Sequence, residues 1–173
     1  MIYSFVEGND DELFMRYILK DHLHYKDFKI IQYAQINVSK VSYYINQCAQ
    51  AGYNFIFLHD MDDAREKDDR KKEVQTNYGI KQLESIIIVI TEIESWYLAG
   101  IDFKKFKIKK NKILNTESVT KEDFYSIINK TTLKRKYPNV TKLTEILASF
   151  SVEQCRQKNS SFNDFITKLQ SIL

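Results

Sequence analysis

The chain has 173 residues, of which 43% are hydrophobic, 28% charged and 13% aromatic. That composition belongs to a globular chain with a sizeable core, and it excludes a wholly disordered or collagen-like one. The formal net charge of +3 conceals a division: residues 1–103 carry 11 Lys and Arg against 17 Asp and Glu, and residues 104–173 carry 15 against 6.

The longest apolar run, Ile86–Ile90, falls far short of the ~20 residues that cross a bilayer. No basic, apolar and small-residue series marks a signal peptide, so the cytoplasm is the expected compartment, with no membrane partner. Two cysteines, Cys48 and Cys155, are too few for a disulfide framework or a zinc cluster.

Ile2–Val6 reads as a short buried strand that stops at Glu7-Gly8. Asn9 then opens a helix as its cap, with Glu12 three residues on and an apolar stripe of Leu13, Phe14, Tyr17 and Ile18. Phe28–Tyr33 reads as a second strand. Val38, Val41, Ile45 and Cys48 recur at helical spacing, and Gly52 stops that helix. Tyr53–Leu58 is a third strand, leading into His59-Asp60-Met61-Asp62. Residues 63–75 are strongly polar and read as an exposed helix or loop. Ser85–Thr91 is a fourth strand, and a helix begins near Ile93 and carries Trp96 to Gly100.

Apolar strands separated by helices imply an α/β fold with a mainly parallel four-stranded sheet, covered on both faces. Residues 1–100 form this core. Residues 101–173 form a basic, mainly helical extension packed on it, with helices near 121–130, 139–149 and 159–172 and a boundary at Pro138.

Parallel strands share one carboxyl edge, where ligands of open α/β sheets bind. Glu7 ends the first strand, Asp60 and Asp62 follow the third, and Glu92 and Glu94 follow the fourth. Asp11, four residues after Glu7, can point the same way or serve the helix start. Clustered carboxylates repel unless a cation neutralises them, and hard oxygen donors suit Mg²⁺ or Mn²⁺.

The segments FVEGNDDELF and FLHDMDD resemble the strand-end glutamate and the DxD element of TOPRIM domains. TEIESWYLAG and SFNDFITKL resemble the small stand-alone TOPRIM-like proteins of the RloB and DUF4276 type. The resemblance implies a TOPRIM/Rossmann-like sheet and metal-binding and catalytic roles for Glu7, Asp60 and Asp62. OLD-type nucleases imply a second metal position using Asp11 and a later glutamate, Glu94 or its competitor Glu92. They also imply a basic residue beyond the sheet, for which Lys142 and Lys158 are the candidates.

These features make a metal-dependent nuclease the first expectation, with DNA against RNA left open. Lys104, Lys105, Lys107, Lys109 and Lys110, with Lys134, Arg135 and Lys136, would hold the phosphate backbone. Phe106 among the lysines reads as a core contact before a base-stacking one. No G-x-x-x-x-G-K-[ST] motif is present, so a motor would be a partner ATPase. Bacterial defence or nucleic-acid processing is the setting the resemblance implies, and a homodimer would suit cutting of both strands. The rival expectations are a non-catalytic TOPRIM-like subunit that binds a partner and a receiver-like regulatory domain using Asp60 and Thr91.

Overall fold

The computed structural model describes residues 1–62, 66–108, 115–129 and 142–173, with the Lys142 side chain outside the description. The four strands are β1 (Ile2–Val6), β2 (Phe28–Gln32), β3 (Asn54–Asp60) and β4 (Ile86–Val89). All pairings are parallel and the order is β2-β1-β3-β4, with Phe5 opposite Phe57 and Phe57 opposite Ile86. The fold is therefore the α/β fold with a parallel sheet that the apolar runs imply. β3 extends further than its apolar run, because Asp60 still pairs with Val89 and Met61 N donates to Val89 O at 2.9 Å.

The helices of the first part are α1 (Asn9–Arg16), α2 (Val38–Gln50) and α3 (Lys67–Tyr78), and a π-helical turn, Tyr17–His22, continues α1. One sheet face packs Phe5, Phe55, Phe57, Ile86 and Ile88 against Val41, Ile45 and Cys48 of α2 and Val74 of α3. Successive strand side chains alternate between faces, so Val6, Ile56, Leu58, Ile87 and Val89 point the other way, and they too are buried. Gly52 and Gly79 end α2 and α3 with φ of 69° and 67°, a left-handed conformation that glycine adopts without strain.

Two details of α1 differ from the sequence reading. Its cap is Gly8, not Asn9, and the carboxylate that answers the cap is Asp11, not Glu12. Glu12 instead accepts from Arg16 and from Gln32 of β2. The buried stripe is Phe14, Met15, Ile18 and Leu19, whereas Leu13 and Tyr17 are half-buried. The π-helical turn advances fewer degrees per residue than an α-helix and so rotates that stripe.

The chain divides into two compact units, residues 1–89 with 165–173, and residues 90–164. Glu92 and Glu94 therefore belong with the second unit, although they lie before residue 100. That unit contains α4 (Ile93–Ala99), α5 (Lys121–Asn129), α6 (Lys142–Leu147), α7 (Val152–Lys158) and the start of α8 (Ser160–Ile172). The sequence reading gave α7 no element; Ser151 caps it by accepting from Gln154 N at 3.1 Å. Pro138 lies outside the described residues.

A buried polar network ties the second unit together. The Trp96 indole N–H donates to Ser161 Oγ at 2.8 Å, and that hydroxyl donates to Asn159 Oδ1 at 2.8 Å. Asn159 in turn donates to Ser95 Oγ at 3.3 Å. Paired burial of this kind avoids the desolvation penalty that an isolated polar group carries. Gly100 closes the approach of α4 to Phe150, since an added Cβ would lie 2.1 Å from the ring. Gly100→Ala should cost about 1–3 kcal/mol through overpacking, measured by urea denaturation; a midpoint equal to wild type would contradict this packing.

Candidate functional site

In a sheet ordered β2-β1-β3-β4, the connections from β1 and β2 depart in opposite directions, and the crevice between β1 and β3 is the switch point. Three side chains stand at its carboxyl end. Glu7 is the first residue after β1, Asp60 is the last of β3, and Tyr33 is the first after β2. Tyr33 N donates to Val6 O at 2.8 Å, which carries the β1–β2 ladder one step further and fixes Tyr33 beside Glu7.

Tyr33 is only 3% exposed and stacks on Phe57 with ring centroids 4.5 Å apart. Its hydroxyl donates to Glu7 Oε2 at 3.5 Å, a long contact. Burial drives the Tyr33 phenol far above its ordinary pKa, and the charges of Glu7, Asp60 and Asp11 push it further, with Tyr78. One phenol thus feels three carboxylates from two strand ends and α1. Asp11 is 7% exposed and accepts from Gly8 N at 3.2 Å, so it holds the helix start.

Asp62 points elsewhere. Its carboxylate is paired with Arg70 of α3, which also donates to Asp60 O at 3.3 Å and to Glu73 Oε2 at 2.9 Å. Burial works to lower the Arg70 pKa, but the Glu73 and Asp62 contacts outweigh it and raise the value. His59 is shifted down, first by burial and then by Arg70, against the opposing pull of Glu7 and Asp62. Asp62 has φ of 45° and Thr91 φ of 64°. Left-handed backbone is unusual for non-glycine residues and strained for a β-branched one, and such strain clusters at functional sites.

In the second unit, Glu92 occupies the cap position of α4 and accepts from Lys121 N. Glu94 is 1% exposed, and Lys121 Nζ lies 3.3 Å from its Oε1. Lys104, Lys105 and Lys107 are exposed, and Phe106 beneath them is buried, a core contact. Lys158 is exposed and sets its ammonium 4.8 Å from the centroid of the Phe103 ring. Lys109, Lys110, Lys134, Arg135 and Lys136 lie outside the described residues, as does the Lys142 side chain.

The donor set fits a hard divalent cation in kind: carboxylate oxygens at the carboxyl edge of a parallel sheet. Among the described residues, no three or more His, Cys, Asp and Glu side chains are gathered closely enough to hold a metal ion as they stand. Glu7, Asp11 and Asp62 each have a donor from this chain instead: Tyr33, Gly8 N and Arg70.

The sequence reading missed Tyr33, Arg70 and Lys121. The shared-edge rule applied to β2 as well as to β1 and β3 would have found Tyr33. Arg70 sits among Lys67, Lys71 and Lys72, and Lys121 opens an ordinary polar helix, so neither carries a distinguishing signal. Tyr33→Phe keeps the stack on Phe57 and should change stability by less than about 1 kcal/mol, whereas Tyr33→Ala should cost about 3–5 kcal/mol. Equal losses in the two variants, by chemical denaturation, would contradict the dominance of the ring contact.

The family described as Domain of unknown function (DUF4276) matches residues 6–170, and the chain belongs to that family. No curated protein matches the sequence.

Proposed function

We propose that this member of the DUF4276 family is a divalent-cation-dependent nuclease of the TOPRIM type that hydrolyses phosphodiesters at the carboxyl edge of β1 and β3. The observation that carries the reading is the placement of Glu7 and Asp60 at the carboxyl ends of the adjacent strands β1 and β3, which flank the switch point, with Asp11 at the start of the helix that follows β1. Three acids on one edge repel one another, and a cation is the partner that relieves this.

Glu7 and Asp60 would hold Mg²⁺ or Mn²⁺, with Asp11 and Asp62 as further donors. When bound, such a cation polarises the phosphate and lowers the pKa of an attacking water. If only one cation binds, Glu7, which accepts from the Tyr33 hydroxyl, would instead act as the general base or acid. Tyr33, Phe57 and Tyr78 form an aromatic wall beside Glu7, lowering the local dielectric and strengthening each charge interaction. Exposed Lys104, Lys105, Lys107 and Lys158 would contact phosphates without regard to base sequence, so binding would weaken steeply with salt. A partner ATPase and a role in bacterial defence rest on the resemblance alone.

Supercoiled plasmid and labelled single-stranded DNA and RNA, incubated with Mg²⁺, Mn²⁺ or EDTA, test the reading. The expected result is cleavage in either metal, none in EDTA, and a loss of at least about 100-fold in Asp60→Asn. Cleavage that persists in Asp60→Asn would overturn the assignment of the site. Absence of cleavage under all conditions would favour the non-catalytic subunit.

A further inference from the structure

Among the described residues, Arg70 is a cation that contacts the end of β3. Its side chain is 20% exposed and reaches three separate acceptors: the Asp62 carboxylate, the Asp60 main-chain oxygen and Glu73. Glu73 is an i,i+3 neighbour on the same helix, an ordinary helix-face pair. The other two contacts cross from α3 to the end of β3. They place the guanidinium beside the residues that carry the proposed metal donors.

We propose that Arg70 binds the phosphate of the substrate once a divalent cation has drawn Asp62 away from it. This rests on the reading under Proposed function, since it takes Asp62 to be a donor to that cation. The Asp62 oxygen paired with Arg70 cannot at the same time be fully given to a metal ion. A cation bound at Asp60 and Glu7 attracts the Asp62 carboxylate, and each unit of that attraction weakens the pair with Arg70. The coupling is reciprocal, so Arg70 must in turn weaken cation binding.

A guanidinium freed of Asp62 keeps its anchors to Asp60 O and Glu73 and presents the N–H groups that Asp62 had occupied. The freed nitrogen, Nη2, can donate to a phosphate oxygen while Nε and Nη1 keep the group in place, an anchoring that a lysine ammonium cannot reproduce. Without a cation, Asp62 holds Nη2 and keeps phosphate out. The site would therefore take its metal first and its substrate second.

The test is Mn²⁺ titration of wild type, Arg70→Gln, Arg70→Lys, Asp62→Asn and the Asp62→Asn/Arg70→Gln double variant. Alongside it runs binding of a short phosphorothioate strand, made as DNA and as RNA, in Mn²⁺ and in EDTA. Arg70→Gln should bind Mn²⁺ about fivefold more tightly than wild type, and the same change should have no effect in the Asp62→Asn background. Strand binding should fall in Arg70→Gln and in Arg70→Lys with Mn²⁺, and match wild type in EDTA. Should Arg70→Gln fail to fold, Arg70→Lys carries the test through strand binding.

Unchanged Mn²⁺ affinity in Arg70→Gln overturns the competition, and a strand-binding loss of equal size with and without Mn²⁺ overturns the release. If wild type takes up no Mn²⁺, the metal-dependent reading itself falls and this inference falls with it.

Discussion

A parallel sheet brings the ends of its strands to one edge, and in this chain that edge carries acid. Glu7 follows β1, Asp60 ends β3 and Asp11 lies in the first turn of α1, so acids stand at the edge where a crevice forms. Folding supplies donors to the acids of this edge. Gly8 N answers Asp11, the Tyr33 hydroxyl answers Glu7, and Arg70 answers Asp62. The geometry of the edge follows from these local answers, and the proposed cation would compete with them.

The aromatic residues are the second element of the account. Tyr33 stacks on Phe57, and Tyr78 meets both rings. A rigid wall of this kind fixes the direction of Glu7 and lowers the local dielectric, which strengthens every charge interaction beside it. Asp62, with left-handed backbone, follows where the chain leaves β3 for α3. Ring packing holds the strand end while the residue two positions later keeps a separate partner.

The strand ends were legible because apolar runs stop abruptly at Glu7 and at His59-Asp60, and parallel pairing leaves no freedom about which edge those ends share. The start of α1 was misjudged by one residue: Asn9 has the better capping side chain, yet Gly8 takes the position because Asp11 can reach its N–H. That shift gives Asp11 a structural task in addition to any chemical one. Tyr33 was hidden because an aromatic residue at the end of an apolar run reads as core, which it also is. Arg70 was hidden because helix phase, not residue type, separates it from the lysines around it. α7 was missed because VEQCRQK has little apolar periodicity and depends on its Ser151 cap. The change in composition near residue 100 does not coincide with the division at Val89, because contacts, not charge, define the units.

The claim at the centre of this account is that the carboxylates of Glu7 and Asp60 hold a divalent cation. Crystals soaked in Mn²⁺ and measured at a wavelength where manganese scatters anomalously address it directly. The account predicts an anomalous peak within coordination distance of both carboxylates, with Asp62 turned from Arg70 toward it. A crystal with no peak at this edge, or with manganese bound only elsewhere, would contradict it.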